Sequence, residues 1–258
     1  MAKIVGILNI TPDSFSDGGK FDSLEGAISH LKKLIADGAD IIDVGAESTR
    51  PKAVPISVQQ EWQRLEKILP AIIFVSKNTS KPIKISLDSY HFENLKKAHE
   101  LGVDIINDVS GLSDERIVDF IAAKNIETIL MHNSQVLPIE GALVNSHLNL
   151  CFEILSWAKE KISALQKKGV KKSQLIFDPG IGFGKNAAQS IRILKNIAEF
   201  GVLDLPIYVG HSKKSFLDAI KIEGDRAQKT LIISKFLLQK KVDFLRVHDV
   251  FHHKEIQL

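Results

Sequence analysis

Eight short apolar runs, most of them trailed by a stretch with helical spacing, recur along this chain, and few architectures accept that pattern. The runs are Ile4 to Ile10, Asp40 to Ala46, Ile83 to Leu87, Asp104 to Val109, Glu127 to His132, Gln174 to Asp178, Pro206 to Gly210 and Asp243 to Val247. After the first, Leu24, Ala27, Ile28, Leu31, Leu34 and Ile35 recur every three or four residues, which puts them on one face of a helix. Trp62 to Ile73 predicts a second helix, kinked by Pro70. His91 to Leu101, Asp114 to Lys124, His147 to Lys167 and Ala187 to Phe200 predict the next four. Lys213 to Ile220 with Arg226 to Gln239 predicts a broken seventh. Strands that alternate with helices build a parallel sheet. Eight repeats in about 250 residues favour closure into a single (β/α)8 TIM barrel. The first strand is not followed by a dinucleotide fingerprint, which argues against the open doubly wound alternative. No linker or change of composition divides the chain, so residues 1–258 read as one domain. Only eight residues follow Val250, so the eighth helix is expected to be missing or very short, with that wall of the barrel thinly covered.

Composition narrows the function classes. The net charge of +3 is small, and no basic tract with interleaved aromatics occurs, which disfavours nucleic acid as a partner. No apolar run reaches the roughly 18 residues of a membrane span. Met1-Ala2-Lys3-Ile4 enters a strand at once, unlike a signal peptide, so a cytoplasmic protein is expected. Cys151 is the single cysteine and sits in a helical pattern, as a core residue would.

Catalytic side chains in a barrel come from the carboxyl ends of its strands. Those ends read Asn9, Asp43, Asp88, Asn107-Asp108, Met131-His132, Asp178, His211-Ser212 and Arg246-Val247-His248. Asp88, Asn107 and Asp178 together suit a flat heterocycle edged with N–H and C=O groups. Arg246 and His248 alternate along a strand, share a face, and suit a phosphate or pyrophosphate. Lys214 stands at a helix start, where backbone N–H groups add positive potential. Asn9 offers an oxygen to Mg²⁺. Each also has a structural reading: Arg246 paired with Asp249, Lys213 or Lys214 solvated at a helix start, Asn9 serving loop backbone. Asp178-Pro179-Gly180-Ile181-Gly182-Phe183-Gly184-Lys185 is either a ligand-facing loop or a βα turn with a capping acid. A zinc trio of His132, His211 and His248 lacks any supporting spacing. His252 and His253 are expected to be exposed.

Several of these segments carry a recognisable signature. Asn9-Ile10-Thr11-Pro12-Asp13-Ser14-Phe15-Ser16-Asp17-Gly18-Gly19, Glu47-Ser48-Thr49-Arg50-Pro51, Asp88-Ser89, Asn107-Asp108-Val109, Met131-His132, Asp178-Pro179-Gly180, Ser212-Lys213-Lys214 and Arg246-Val247-His248-Asp249-Val250 occur in that order. In this the chain resembles the dihydropteroate synthase family over nearly its whole length. The resemblance implies condensation of p-aminobenzoate with 6-hydroxymethyl-7,8-dihydropterin pyrophosphate, giving dihydropteroate and pyrophosphate. It implies that Asp88, Asn107, Asp178 and Lys214 hold the pterin edges, that Met131 and Arg246 pack on its faces, and that Gly182 leaves room beside it. It implies Asn9, Arg246 and His248 around the pyrophosphate with Mg²⁺, and Thr49 and Arg50 near the phosphates or the aminobenzoate. Phe15, Asp17, Pro51, Phe183 and Ser212 would shape the aminobenzoate site, which is also the sulfonamide site. Loss of pyrophosphate by a dissociative displacement, with Asp17 favouring positive charge on the pterin, follows from that arrangement.

Lys52, Asn133-Ser134, His211 and Lys213 depart from the family pattern. The family's eighth helix helps to form a homodimer, so the short C-terminus puts that pairing in question. A methyltetrahydrofolate-binding methyltransferase shares the barrel and the acid–amide pocket, but it needs neither the first-loop nor the Ser-Thr-Arg-Pro motif. A non-catalytic pterin-binding remnant is the other alternative.

Overall fold

The computed structural model describes residues 1–10, 23–48, 54–133 and 150–257. In chain order these form β1 (Lys3–Asn9), α1 (Ser23–Ala36), β2 (Ile41–Gly45), α2 (Val58–Leu65), α3 (Leu69–Lys77), β3 (Lys84–Asp88), α4 (Phe92–Leu101), β4 (Ile105–Asp108) and α5 (Glu115–Lys124). There follow β5 (Glu127–Met131), α6 (Leu150–Lys167), β6 (Leu175–Asp178), α7 (Ala187–Lys195), β7 (Tyr208–Val209), α8 (Arg226–Gln239), β8 (Phe244–Val247) and α9 (Val250–Glu255). The helices start where the sequence caps them. Ser57 with Gln60, Asn186 with Gln189 and Asp225 with Gln228 each form a reciprocal capping box, satisfying two amides that a helix start leaves unpaired. Gly102 and Asn125 close α4 and α5 in the left-handed conformation.

All the strand pairs are parallel, in the order β6-β5-β4-β3-β2-β1-β8-β7. The outer edges of this sheet meet at a parallel bridge between Phe177 and Ile207, where the Phe177 N–H donates to the Pro206 carbonyl at 2.9 Å. The sheet is thus a nearly closed barrel. β7 is short for a local reason: the Ile207 N–H donates to the Asp243 carboxylate at 2.7 Å instead of entering the ladder.

Strand alternation sorts the barrel interior into layers. Val5, Ile41, Ile105, Ile129, Ile176, Tyr208 and Phe244 form a buried apolar plug. Two residues further along their strands come Ile7, Asp43, Asn107, Met131, Asp178, Gly210 and Arg246. The plug therefore supports a mostly polar layer, and the large outer core lies between strands and helices. Burying polar groups at that depth is costly unless they pair.

Some expected elements differ. The second helix is two: α2 ends at Leu65, and α3 begins at Leu69 with Pro70 in its first turn, where a missing N–H costs nothing. The sixth helix stops at Lys195 and continues as a 3-10 segment, Ile197–Leu203. Residues 147–149, expected at the start of the fifth helix, lie outside the described residues. Cys151 is buried, as its setting suggested. The eighth helix is present but short, as α9. Val250 on it is fully buried and would lie 3.2 Å from a Cβ placed on Gly6 of β1, so α9 packs directly on the sheet. Lys254 of α9 pairs with Asp40 at 2.7 Å. The expectation that His253 is exposed is wrong: it is 1% exposed, turned inward by the helix that the few remaining residues still form, whereas His252 is exposed.

Candidate active site

The polar layer above the plug is centred on Arg246 of β8. Its Nε donates to Asp43 Oδ2 at 2.6 Å and its Nη2 to Asp88 Oδ2 at 2.8 Å. Asp43 is fully buried and also accepts from Asn107 Nδ2 at 3.2 Å. Asp88 and Asn107 are register partners across β3 and β4, as are Met131 and Asp178 across β5 and β6. Four neighbouring strands thus deliver two acids, an amide and a thioether to one rim. Burial opposes the charge on Arg246, but Asp43 and Asp88 outweigh it and raise the guanidinium pKa further. Burial pushes the Asp88 carboxyl up to about 7, and Asp43 adds to this while Arg246 opposes it. One cation among two acids leaves the cluster short of positive charge.

The β6 loop forms the facing wall. The Gly180 N–H donates to Asp178 Oδ1 at 2.7 Å, and burial raises the Asp178 pKa. Gly180 has φ +68°, and a Cβ there would lie 2.0 Å from the His132 carbonyl, so only glycine fits. Lys185 folds back under the loop, its ammonium donating to the carbonyls of His132, Gly180 and Phe183 at 3.2, 2.9 and 2.9 Å. Burial lowers its pKa to about 7. Lys214 donates to the Ile181 carbonyl at 2.5 Å and lies 4.6 Å from the Phe183 ring centroid. Burial lowers its pKa to about 8, against the pull of Asp178. Gly182 has φ +80°, which favours glycine, and a Cβ there would lie in van der Waals range of the Lys214 side chain.

At the other end, Ser212 Oγ lies 2.9 Å from His248 Nδ1 and also accepts the His248 backbone N–H at 3.3 Å. Where the hydroxyl proton goes to Nδ1, the proton of a neutral His248 is left on Nε2. Asn9 ends β1 beside Gly45, and both Asn9 Oδ1 and Asp88 lie within 4 Å of a Cβ placed there.

The structure therefore brings together Asp88, Asn107, Met131, Asp178, Gly182, Phe183, Ser212, Lys214, Arg246, His248 and Asn9 at one end of the barrel. Phe15, Asp17, Thr49, Arg50 and Pro51 lie outside the described residues. Three alternatives from the sequence fall. Arg246 does not pair with Asp249, which instead caps α9 and pairs with His252 at 2.7 Å. Lys214 is only partly exposed, its ammonium held by the Ile181 carbonyl and the Phe183 ring, and the solvated residue of the pair is Lys213. His132, His211 and His248 do not converge: His132 packs on Trp157 at 4.8 Å, His211 bonds Ser234, and His248 bonds Ser212. Arg246 also differs from expectation in its company, since two of its three nitrogens serve carboxylates and not an open phosphate site.

Sequence reading gave Asp43 and Lys185 no role. Alternation in Ile41-Ile42-Asp43-Val44-Gly45 places Asp43 inside, which is a usable signal. Nothing local marks Lys185 as a three-carbonyl clamp. Glu61 of α2 is likewise unsignalled; it is fully buried and accepts from Ser89 Oγ at 2.9 Å and Asn94 Nδ2 at 2.7 Å, bracing the turn after Asp88.

Residues 5–248 match the family model described as pterin binding enzyme. A dihydropteroate synthase of Clostridium beijerinckii is 38% identical, covering 97% of this chain and 90% of that protein. The crystal structure of dihydropteroate synthase from Anaplasma phagocytophilum with bound 6-hydroxymethylpterin-monophosphate superposes with a TM-score of 0.89 at 42% identity, covering 99% of this chain and 96% of that one. The Xanthomonas albilineans dihydropteroate synthase with 4-aminobenzoic acid gives 0.88 at 29% identity, over 98% and 90% of the two chains. A polar rim of pterin-compatible donors and acceptors, on a barrel that agrees with these relatives along almost its whole length, places the chain in the pterin-binding enzyme family, among its dihydropteroate synthases.

Proposed function

We propose that this chain condenses 6-hydroxymethyl-7,8-dihydropterin pyrophosphate with p-aminobenzoate, releasing pyrophosphate and 7,8-dihydropteroate. The observation that carries this reading is the register: Asp88, Asn107, Asp178 and Arg246 all point inward in one layer above the apolar plug. Asp178 keeps Oδ1 on the Gly180 amide, so Oδ2 is the oxygen that takes a pterin N–H. Asn107 has its amide nitrogen on Asp43, so its carbonyl oxygen faces the ring as an acceptor. Lys214 and Asp88 complete the edge. Met131 and the Arg246 guanidinium form a platform for the ring faces, a stacking that suits a planar cation.

The aromatic amine of p-aminobenzoate is neutral near neutral pH, so attack needs no dedicated base. The difficult event is departure of pyrophosphate from the methylene carbon. The electron-rich dihydropterin carries the developing positive charge, and the buried acids of the cluster stabilise it. His248, with its proton on Nε2, donates to the leaving phosphate oxygens. Asp43 and Asp88 occupy two of the Arg246 nitrogens, so Arg246 acts more on the pterin than on the leaving group. Phe183 and Ser212, with Phe15, Asp17, Thr49, Arg50 and Pro51 of the first two loops, shape the aminobenzoate side.

Mg²⁺ fits this donor set in one way. Among the described residues no group of three or more His, Cys, Asp or Glu side chains converges. Asn9 offers a single neutral oxygen at the rim, and a hard cation that keeps its waters and leans on substrate phosphates needs little more. When bound there it would offset charge on the pyrophosphate. Among the described residues no helix is long and apolar enough to cross a membrane.

The test is formation of dihydropteroate from the two substrates, with and without Mg²⁺. Turnover that depends on the cation supports the reading; pterin binding without turnover would overturn it in favour of a binding domain.

A further inference from the structure

His253 is buried at a place where the chain is nearly at its end, and its partners explain why. Ser234 sits on the inward face of α8 with Thr230 and Leu237, and all three are buried. Its hydroxyl lies 2.8 Å from His211 Nε2 and 2.9 Å from His253 Nε2. His253 Nδ1 in turn meets the Asp249 carbonyl. His211 precedes Ser212 in the chain, and His248 precedes Asp249. Since Ser212 bonds His248 at 2.9 Å, the contacts close a ring: His211, Ser234, His253, Asp249, His248, Ser212 and back to His211. The same helix face holds the loop a second way, because the Lys213 N–H donates to Thr230 Oγ1 at 3.1 Å while Lys213 adopts φ +56°.

One arrangement of protons satisfies the contacts of Ser234 and His253. A carbonyl only accepts, so His253 Nδ1 carries its proton. Nε2 of neutral His253 is then an acceptor, and it takes the Ser234 hydroxyl proton. Ser234 oxygen accepts in turn from His211 Nε2–H. Directing the Ser234 proton to the Thr230 carbonyl, 2.9 Å away, would require a charged His253. Burial disfavours that charge, as it does on His211. The chain of bonds therefore runs one way, from His211 to Asp249.

We propose that His211, Ser234 and His253 are positioning residues that tie α9 and α8 to the loop after β7, so that Ser212 holds His248 with its Nε2 proton toward the substrate phosphates. The proposal rests on the phosphate-end role given to His248 above. It gives the short C-terminal helix a task at the active site that no residue of that helix performs by contact.

Ser234→Ala removes the bridging oxygen and keeps a good helix former. It is expected to weaken inhibition by inorganic pyrophosphate, and to lower kcat/KM for the pterin substrate, by about tenfold, since small misplacements of a catalytic group cost that much. The imidazole ¹⁵N spectrum should show His248 passing from the Nε2–H tautomer to an averaged state. Leu237→Val on the same face, which loosens packing without touching the ring, serves as the control for general destabilisation. Equal kinetic losses in both variants, or an unchanged His248 spectrum and pyrophosphate inhibition in Ser234→Ala, would overturn the proposal. His248→Gln separates it from the functional reading. A fully active His248→Gln sinks the phosphate-end assignment and the proposal with it. An impaired His248→Gln beside an unimpaired Ser234→Ala sinks the proposal alone.

Discussion

Replacing Arg246 with methionine removes the one cation between two buried acids while keeping most of the side-chain volume. At 2.6 and 2.8 Å, and an effective dielectric of about 20, each contact corresponds to about 6 kcal/mol of Coulomb attraction before desolvation is subtracted. Taking a guanidinium and a carboxylate out of water costs several kcal/mol per ion, so the net loss on breaking the pairs is about 3–5 kcal/mol. Asp43 is 0% exposed and the Arg246 side chain 19%, so solvent screens little of this. For a chain of this size that is a fall in Tm of about 6–20 °C. The loss has a pH signature. Without the guanidinium, Asp88 loses the charge that opposes its burial beside Asp43, and its folded-state pKa rises further above the unfolded carboxylate value. The native state then binds more protons than the unfolded state, so stability falls as pH rises. Thermal unfolding of Arg246→Met should therefore show a smaller deficit near pH 5 than near pH 8.

The same substitution removes the ring-face platform and frees Asp88, and kcat/KM should fall by about two to four orders of magnitude. Adding Asp43→Asn to Arg246→Met takes away the repulsion and should return most of the lost stability but none of the turnover. Two results would refute the reasoning. A Tm for Arg246→Met within about 2 °C of the parent near pH 8 would mean the cluster is not electrostatically coupled. Recovery of turnover in the double variant would mean Arg246 serves only to neutralise its neighbours.

Asp178→Asn keeps an oxygen for the Gly180 N–H but offers an ambiguous group to the pterin; calorimetry should show pterin affinity lower by about ten- to a hundredfold with Tm nearly unchanged, and unchanged pterin affinity with weakened pyrophosphate binding would contradict the assignment. The pH profile of kcat/KM for the pterin substrate should be bell-shaped, rising as Asp88 ionises near 7 and falling as Lys214 loses its proton near 8. Lys214→Arg should move only the falling limb upward, and a flat profile from about pH 6 to 9 would count against both groups. Gly180→Ala forces a Cβ onto the His132 carbonyl and should cost about 2–4 kcal/mol in thermal unfolding, whereas Gly201→Ala, with open space around it, should be nearly neutral.

Periodicity made the eight strands legible, because burial on both faces demands apolar runs and the helices between them need a stripe. Their polar ends were legible for the same reason: Asp88, Asn107, Asp178 and Arg246 interrupt runs that packing alone would keep apolar. Ends of elements were read less well. The sequence pattern reads Pro70 as a kink, whereas it opens α3, since a proline suits a first turn as well as a bend. The tail position of His253 reads as exposed, but Ser234, nineteen residues earlier, makes its burial possible.

The sequence by itself determined the class of barrel, the strands that carry the site and the chemical types that line it, because alternation and residue type are local properties. Partnership was decided only by the tertiary structure. Arg246 meets Asp43 and Asp88 across 203 and 158 residues, and that contact makes it the centre of an acid cluster. Lys185 gathers carbonyls from two loops, and His211, Ser234 and His253 close a ring across three elements. Closing the sheet into a barrel sets these distances, and which polar groups must satisfy one another follows once water has been excluded from between them.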